Sequence, residues 1–495
     1  AITRSTAARF NIPDFSKLKI NEKVEDYIES SIKEDTGSSS KNTSRTHYSV
    51  GKNELGFNLS SNTLNIASST TMDVKTGGGA FSILYNDFRT VQTLVRQVLT
   101  QSMNNAQRLT LNMEPDSYLF VFGGSLGVDV KLSETNVGDI MSATPKNLRP
   151  KINGTGYKMF KFHNTKVYID QNVNLDNPND AYNQVVATKS FWEVNSGVTI
   201  TGTKDNQIGL QNRDTNTSIF YANFKNVNGG TIDLKGNNSI GVYMINTPFD
   251  NNGKISVGKN SIGIYATPDD SDSYRYTDNN GDGNIVIGES STGMYFYKHW
   301  IDTSGIIRNL GKIESNSNNA IGMTVNIRNK KMNSSSSDNE EEVLRNQGQI
   351  DLKGDKSIGI YADGDGKYKV DNSGSIIMGD SFEKNNPSIG IFSNNPNALL
   401  VNYGTIEIGK NSAGIVGFGN TVINETDGTI KITKDGGVGM YLGDGAVGIN
   451  NGTITTVGSP KNAIGVVVGK DSEFTNTGKI HIESAGGAGI VVAGG

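Results

Sequence analysis

The chain repeats itself, and this repeat restricts its fold more than any other feature. The stretch "NNGKISVGKNSIGIYA" at 251–266 returns almost unchanged as "NYGTIEIGKNSAGIVG" at 402–417. A unit that recurs at this length is typical of an architecture in which equivalent supersecondary units stack on one another. The structure of one unit therefore determines the structure of the whole repeated region.

Two half-motifs alternate through the C-terminal part of the chain. The first is Gly-x-Ile, usually with Asn or Asp two residues before the glycine. The second is a small residue followed by Ile/Val-Gly-Ile/Val/Met-Tyr, with some substitutions. Within each series, successive glycines lie 22 to 37 residues apart. The glycines of the first half-motif are Gly230, Gly253, Gly283, Gly311, Gly348, Gly374, Gly404, Gly428, Gly452 and Gly478. Those of the second are Gly241, Gly263, Gly293, Gly322, Gly359, Gly390, Gly414, Gly439, Gly465 and Gly489.

Each half-motif alternates with the period of a β-strand. Ile255 and Val257 are predicted to share one face, as are Ile262 and Ile264. Such short strands are unstable alone, but stacking units about 4.8 Å apart pairs each strand with its counterpart and gathers the isoleucines into ladders. The pattern predicts an all-β fold, a right-handed parallel β-helix, with the hand taken from the general rule for parallel crossovers. A β-propeller would need longer units, of about 40 residues with four strands each.

The corners of the β-helix are predicted from the glycines and asparagines. The repeated glycines indicate positions of positive φ or of tight backbone approach, and the preceding asparagines are expected to form inward or corner ladders. Three less regular spans, near 267–282, 297–309 and 326–346, are predicted to be insertions that leave one edge of the solenoid. A local function is expected on these insertions, because loops carry function more often than the elements they connect.

The first part of the chain differs from the rest. Residues 194–495 carry the β-helix repeats, whereas 1–193 show a poor period. Apolar residues at helical spacing predict helices near 18–33 and 86–106, among strand-like segments. We interpret 1–193 as a mixed α/β module, a capping or inserted subdomain. Because "GGAGIVVAGG" stops within a motif, the natural chain is expected to continue.

Composition excludes several classes of function. A net charge of −4, with lysines scattered singly, gives no basic surface for nucleic acid. No window of about 18 apolar residues predicts membrane insertion within this chain. The absence of cysteine rules out disulfides and thiolate-bound metals. The four histidines are far apart in sequence, and the acidic positions that recur after the Gly-x-Ile motif are typical of a solvated face.

One segment matches the pattern of a calcium-binding loop. In "DNNGDGNIVIGE", Asp278, Asn280, Asp282 and Glu289 occupy ligand positions of the motif D-x-[DN]-x-[DN]-G-x5-E. The same residues also form an ordinary unit of the repeat, and neither flank has a helical pattern. Calcium is the one possible cofactor that the sequence indicates.

Aromatic residues suggest two kinds of surface. Six of the ten residues two positions after the second glycine are aromatic, which would give an outward stripe able to bind sugars. We favour the alternative that a loop or a neighbouring face covers this stripe, or that these residues point inward, since such long apolar patches are rarely exposed. A second group of side chains, on the insertions, is predicted to bind a receptor. This group comprises Tyr274, Tyr276, Tyr297, His299 and Trp300.

The alternation of N-x-G-x-I and S-I-G-I-Y, as in "NQGQIDLKGDKSIGIYA" from Asn346, resembles a known family over 195–495. It is similar to the passenger repeats of very large type V autotransporter adhesins, especially the fusobacterial ones. The resemblance implies a non-catalytic β-helical rod on the cell surface, anchored to the Gram-negative outer membrane through a C-terminal barrel outside this fragment. Its expected partners are host cell-surface glycoproteins or glycans, or partner bacteria. Two alternatives stay open: a polysaccharide-degrading β-helix enzyme, either a lyase or a tailspike-like hydrolase, and a passive structural stalk.

Overall fold

The computed structural model describes residues 2, 13–21, 31–59, 62–84, 91–123, 129–136, 141–213, 225–268, 276–298, 305–328 and 341–494. The chain forms two compact units. The large unit comprises Ala1–Ile20, Thr201–Gln211 and Val227–Gly495, and the small unit comprises Asn21–Ile200 and Asn212–Asn226.

The described strands before residue 203 are short and numerous. They are β1 (Ile32–Asp35), β2 (Lys41–Asn42), β3 (His47–Val50), β4 (Leu55–Asn58), β5 (Leu64–Asn65), β6 (Thr70–Val74), β7 (Gly79–Leu84), β8 (Met103–Asn104), β9 (Leu109–Met113), β10 (Tyr118–Gly123), β11 (Asp129–Lys131), β12 (Lys151–Asn153), β13 (Lys158–His163), β14 (Lys166–Ile169), β15 (Val173–Asn174), β16 (Val185–Thr188), β17 (Phe191–Val194) and β18 (Thr199–Gly202). One described α-helix, α1 (Val91–Thr100), lies between β7 and β8. Single-turn 3₁₀ helices occupy Phe15–Lys17, Ala106–Arg108, Leu132–Glu134, Lys146–Leu148 and Ala181–Gln184.

From residue 208 the strands recur in groups of three. They are β19 (Ile208–Arg213), β20 (Asn226–Asn228), β21 (Thr231–Leu234), β22 (Ile240–Ile245), β23 (Phe249–Asn251), β24 (Lys254–Val257), β25 (Ile262–Thr267), β26 (Tyr276–Asn279), β27 (Asn284–Ile287), β28 (Thr292–Lys298), β29 (Ile306–Asn309), β30 (Lys312–Ser315), β31 (Ile321–Ile327), β32 (Glu342–Asn346), β33 (Gln349–Leu352), β34 (Ile358–Gly364), β35 (Lys369–Asn372), β36 (Ser375–Met378), β37 (Ile389–Ser393), β38 (Leu399–Asn402), β39 (Thr405–Ile408), β40 (Ala413–Phe418), β41 (Thr421–Asn424), β42 (Thr429–Ile432), β43 (Val438–Gly443), β44 (Val447–Asn450), β45 (Thr453–Thr456), β46 (Ile464–Val468), β47 (Glu473–Asn476), β48 (Lys479–His481) and β49 (Ala488–Val492).

The large unit is a parallel β-helix, which confirms the predicted fold class. Each turn contributes one strand to each of three parallel sheets, which we name by their most regular residue. The asparagine sheet contains β20, β23, β26, β29, β32, β35, β38, β41, β44 and β47. The isoleucine sheet contains β21, β24, β27, β30, β33, β36, β39, β42, β45 and β48. The aromatic sheet contains β22, β25, β28, β31, β34, β37, β40, β43, β46 and β49.

The isoleucine sheet carries the first half-motif in strict register. Ile232 pairs with Ile255, Ile255 with Ile285, and the pairing continues turn by turn to Ile480. Along each strand buried and half-exposed residues alternate, so that Ile255 and Val257 point inward together, as predicted. The buried column supplies a continuous hydrophobic core, because each isoleucine contacts its equivalents above and below.

The two half-motifs correspond to the isoleucine and aromatic sheets, and the strands of the asparagine sheet have no motif of their own in the sequence. Each of these strands ends on the asparagine that precedes the repeated glycine, by four residues at Asn279 and Asn424 and by two residues in the other turns. These asparagines point inward, and the amide nitrogen of each donates to the amide oxygen of the next, at 2.7–2.9 Å. The predicted asparagine ladder is thus confirmed. It runs through Asn228, Asn251, Asn279, Asn309, Asn346, Asn372, Asn402, Asn424, Asn450 and Asn476.

Glycine and asparagine have different roles at the corners. A Cβ atom on Gly253 would lie 1.9 Å from the carbonyl oxygen of Gly230 in the turn below, so close backbone approach requires this glycine. The left-handed conformation is instead adopted by asparagines before the aromatic sheet, such as Asn260 with φ 51° and Asn411 with φ 52°. Of the two reasons predicted for the repeated glycines, tight approach applies.

The strands of the aromatic sheet depart from simple alternation. Ile262 packs with Tyr265 in a cluster on the outer side of the sheet, and Ile264 is not part of that cluster. The prediction that Ile262 and Ile264 share a face was therefore wrong. The ladder register passes from Ile262 to Ile264 without pairing Gly263, which shifts the alternation by one residue.

The small unit is also built from parallel strands in successive turns. Its core contains a phenylalanine ladder, Phe57, Phe81, Phe120 and Phe160, with neighbouring ring centroids 5.7–6.3 Å apart. The turns differ in length, and phenylalanine forms the ladder of the sheet to which these four residues belong. The repeat is consequently hard to recognise in the sequence before residue 194.

The predicted helices can be compared with the described residues. The helix α1 lies inside the span 86–106. Most of the span 18–33 lies outside the described residues. At its described ends, Leu18 follows a 3₁₀ turn and Ile32 begins strand β1.

The three predicted insertions lie at one corner, between the aromatic sheet and the asparagine sheet. Residues 269–275, 299–304 and 329–340 of these spans lie outside the described residues. The spans were predicted too long, since each includes a strand of the asparagine sheet: Tyr276–Asn279, Ile306–Asn309 and Glu342–Asn346. These strands lack isoleucine alternation and so resemble loop in the sequence.

The asparagine ladder yields a first prediction. Asn346 donates to Asn372 and accepts from Asn309, and all three side chains are buried. Asn346→Ala leaves buried amide groups without partners, so we expect a loss of about 2 kcal/mol in the free energy of unfolding. The exposed Asn237→Ala is the matched control, expected to change stability by less than about 0.5 kcal/mol. Urea unfolding followed by circular dichroism measures both, and equal stabilities would contradict a structural role of the ladder.

Candidate functional site

The aromatic stripe predicted on the outer side of the aromatic sheet exists, and the chain itself covers it. The rings of Tyr243, Tyr265 and Tyr295 stack at centroid distances of 4.9 and 5.1 Å. Phe15 packs edge-on against Tyr243 and Tyr265, with Leu18 beside it. Burial under this segment raises the pKa of Tyr265 well above its usual range. Of the two alternatives for the stripe, the covered one is confirmed.

A single segment near the N-terminus provides this cover, and we call it the N-terminal arm. Its described residues are Ile2 and residues 13–20. Ile2 packs on the same face of the sheet farther along, against Phe392 and Val416. The stripe therefore belongs to the core of the large unit, and it is not a free binding surface.

Of the residues predicted to bind a receptor, the two that the structure describes lie on different sheets. Tyr297 is half-buried and packs with the cluster of Leu18 and Tyr295 on the aromatic sheet. Tyr276 lies on the asparagine sheet, on a different face of the β-helix. Tyr274, His299 and Trp300 lie outside the described residues, so their part in binding stays a prediction.

Around Tyr276 the outer side of the asparagine sheet carries a cluster of charges, which we call the charged face. Four of its residues each precede a ladder asparagine and pair directly in register: Asp278 with Arg308, Arg308 with Arg345, and Arg345 with Asp371. Because the asparagines point inward, the residues before them point outward. The charged face consists of Tyr276, Asp278, Arg308, Glu342, Arg345, Lys369, Asp371 and Tyr403.

At one end of the charged face, Arg308 is held by two partners. Its Nε and Nη2 atoms donate to the two carboxylate oxygens of Asp278 at 2.7 and 2.6 Å. The guanidinium carbon lies 5.6 Å from the ring centre of Tyr276. The bidentate bond and the ring contact fix the orientation of the guanidinium plane.

The other end of the charged face contains two carboxyl groups and two cations. Arg345 donates to both oxygens of Glu342 at 2.6 and 2.7 Å, and its Nε lies 3.4 Å from Asp371 Oδ1. Lys369 Nζ lies 3.9 Å from Asp371 Oδ2 and donates to the Tyr403 hydroxyl at 3.1 Å. The Asp371 side chain is fully buried, whereas Tyr403 is 37 % exposed.

Burial gives Asp371 an unusual proton affinity. Desolvation, and then the adjacent Glu342 carboxylate, raise the pKa of Asp371 to about 8, although Arg345 and Lys369 act in the opposite direction. Desolvation acts to raise the pKa of Glu342, but hydrogen bonds with Asp371 and then Arg345 hold that pKa below its usual value. Asp371 is therefore mostly protonated at neutral pH, while Glu342 is ionised.

A second buried charge lies where two insertions join the β-helix. Lys298 ends β28 with its side chain fully buried, and its Nζ lies 3.6 Å from Glu341, just before β32. Burial lowers the pKa of Lys298 and raises that of Glu341. This pair joins the start of one insertion to the end of the other.

The four residues of the calcium motif lie along one turn and have different neighbours. Asp278 binds Arg308, and Asn280 donates to Asn252 at 2.7 Å. Glu289 lies 3.5 Å from Lys259, beyond strand β27, and Asp282 is exposed. Within the described ranges, no three acidic or histidine side chains converge as metal ligands. Calcium binding at these positions stays a prediction that a titration can test.

Sequence reasoning identified Tyr276 and Asp278 but missed the rest of the charged face. A signal was present: Arg308, Arg345 and Asp371 each stand directly before the asparagine of a unit. This position faces outward only because a third strand ends there, and the two half-motifs do not reveal that strand.

Comparison with known proteins gives one match. Residues 312–453 match the family model described as the BigA third pectate lyase-like domain. The match covers less than a third of the chain and includes Glu342, Arg345, Lys369, Asp371 and Tyr403 of the charged face. No curated protein and no solved structure matches the chain. Among the helices in the described part of the chain, none is both long and apolar enough to cross a membrane.

Asp371 gives a prediction of pH dependence. An ordinary aspartate has a pKa near 3.9, and the folded value is about 8. Between these values the folded chain holds a proton that the unfolded chain releases, so stability falls as pH rises through this window and levels off above it. We expect Asp371→Asn to remove part of the fall in melting temperature between about pH 5 and pH 9. The exposed Asp427→Asn should keep the wild-type profile, and identical profiles for all three proteins would contradict the prediction.

Proposed function

We propose that the chain is part of the passenger of a bacterial cell-surface adhesin of the autotransporter type. It would be anchored to the Gram-negative outer membrane by a part of the protein outside this chain. Its role would be attachment to host cells or to other bacteria through glycan or protein receptors, without catalysis. A regular parallel β-helix suits this role because it extends by adding equivalent turns and presents side chains along its outer faces.

The charged face is the observation that carries this proposal. It offers aromatic rings, guanidinium groups and carboxylates on neighbouring strands, and these are the groups that bind sugar rings and hydroxyls or anchor protein interfaces. Ion pairs hold Arg308 and Arg345 in place, so little side-chain entropy is lost on binding. Tyr403, Arg308 and Arg345 are each about one-third exposed, whereas the Lys369 side chain is 21 % exposed and donates to the Tyr403 hydroxyl. Tyr403 with its partner Lys369 is the contact point that we test.

Binding can be tested with the whole 495-residue chain on a glycan array and on host cells, with and without calcium chelation. We expect saturable binding, weakened about tenfold or more in Lys369→Gln/Tyr403→Ala, because the exposed ring and the cation that donates to its hydroxyl are lost. Lys431→Gln, on the outer side of the isoleucine sheet, is the matched control and should bind normally.

Other outcomes of the same experiment are equally informative. Binding that survives the change in the charged face but is lost in Tyr297→Ala/Trp300→Ala would assign recognition to the insertions. Binding lost on chelation would support the calcium motif. A folded chain that binds nothing would contradict the adhesin proposal and favour a passive stalk.

One observation favours a second candidate, a polysaccharide-degrading enzyme. Asp371 is a protonated acid at neutral pH beside ionised Glu342, with Arg345 and Lys369 adjacent, and such pairs of unequal proton affinity serve in acid–base catalysis. The match to a pectate lyase-like domain covers the same residues. The deep burial of Asp371 weighs against this candidate, since a general acid has to reach its substrate.

Activity measurements separate the two candidates. The chain is incubated with acidic and neutral polysaccharides, and new reducing ends and unsaturated products are measured. The adhesin proposal predicts no turnover. Turnover abolished by Asp371→Asn but retained by Asp427→Asn would establish the enzyme instead.

A further inference from the structure

The N-terminal arm is held by side-chain docking. Its described part contains a 3₁₀ turn, Phe15–Lys17, and no strand, so it adds no ladder to the aromatic sheet. Phe15 lies 5.4 Å from Tyr265 and 6.5 Å from Tyr243, between ring centroids. Leu18 is buried in the same cluster. The described residues of the arm can therefore dissociate without breaking any strand pairing of their own.

Polar contacts give the arm a defined register. The Asp14 amide donates to the side-chain oxygen of Asn238, and the Asn238 amide donates back to the Asp14 carbonyl at 3.2 Å. Near the end of the arm, Gln211 donates to the carbonyl oxygen of Lys19 at 3.2 Å. The aromatic sheet therefore binds this segment through specific hydrogen bonds as well as through apolar packing.

Chain order separates the arm from the unit that it completes. Between the arm and the rest of the large unit the chain passes through Asn21–Ile200, which belongs to the small unit. An element that is remote in sequence from its binding surface is a candidate for exchange between identical chains. The exchanged contacts are the same as the internal ones, so exchange costs little beyond association itself.

The outer side of the aromatic sheet is apolar and has to be covered by another segment. Without the arm, the stacked rings of Tyr243, Tyr265 and Tyr295 would form an exposed apolar patch, which soluble surfaces avoid. The segment known to fit this patch in shape and hydrogen bonding is residues 13–20 of an identical chain. We propose that the outer side of the aromatic sheet is a self-association site, which takes the N-terminal arm of a second copy when copies are crowded together.

This exchange is independent of receptor binding at the charged face. A tethered arm has a high effective concentration at its own sheet, so the closed monomer predominates in dilute solution. Exchange becomes competitive where the local concentration of copies approaches that effective concentration, as it does for proteins arrayed on a surface. The product is a pair, or a chain, of laterally linked molecules.

Photo-crosslinking of the full chain tests the proposal while keeping an aromatic ring in place. The variant Phe15→p-benzoylphenylalanine is produced with ¹⁵N label, mixed with unlabelled wild-type chain over a range of concentrations, incubated and irradiated. Mass spectrometry then identifies cross-linked peptides. We expect heavy–heavy links to the peptide containing Tyr265 at low concentration, and heavy–light links to the same peptide that increase several-fold as the concentration rises.

Phe382→p-benzoylphenylalanine is the matched control for random collision, because Phe382 is 85 % exposed. Its heavy–light links should be few and scattered over many peptides. A second change, Leu18→Ala in the labelled chain, should reduce the links from position 15 to the Tyr265 peptide. Links from position 15 that stay heavy–heavy at every concentration would overturn the exchange, and so would heavy–light links no more specific than those from Phe382.

Discussion

The large unit depends on one interaction, the amide–amide hydrogen bond that passes from each turn to the next along the asparagine ladder. A buried amide with both donors and its acceptor satisfied is tolerated in a core, whereas one lacking partners costs roughly as much as a good core contact contributes. Each asparagine, such as Asn346, is satisfied only if the turns above and below place theirs in the same position. The ladder thereby aligns the strands that precede it, and with them the residues at the outward positions.

This constraint explains how far the fold could be predicted from the sequence. The isoleucines and asparagines of the two ladders recur as the same residue types in every repeat, because a buried position allows few residue types. The asparagine sheet was missed because the rest of each of its strands varies freely: compare "YTDN" at Tyr276 with "LLVN" at Leu399. The N-terminal arm could not be predicted either. Nothing local to Phe15 and Leu18 indicates that their partners lie more than two hundred residues away.

The variability of the asparagine-sheet strands also explains why only part of the candidate site was predicted from the sequence. Sequence reasoning expected binding residues on the insertions, where the repeat visibly breaks, and it selected Tyr276 and Asp278 for unrelated reasons. The charged face lies inside the repeat, at outward positions that the stacking leaves unrestricted. Its members become neighbours because turns of unequal length return to the same register, which brings Arg308 beside Arg345 across 37 residues. Sequence spacing cannot reveal a cluster of this kind unless the third strand is known.

The two outer faces resolve one physical problem in opposite ways. When equivalent residues stack at strand spacing, identical side chains become neighbours. Like charges then repel each other, and apolar rings form an exposed patch. On the asparagine sheet, a carboxylate lies on the outer side of each of the two adjacent arginines, and Asp371 keeps a proton where neutralisation by its neighbours is insufficient. On the aromatic sheet no such alternation exists, so the rings require a separate covering segment. A face neutralised by its own side chains remains accessible to other molecules, whereas a face completed by a separate segment can receive that segment from any copy of the chain. For this reason we assign recognition of foreign receptors to the charged face and self-recognition to the aromatic one.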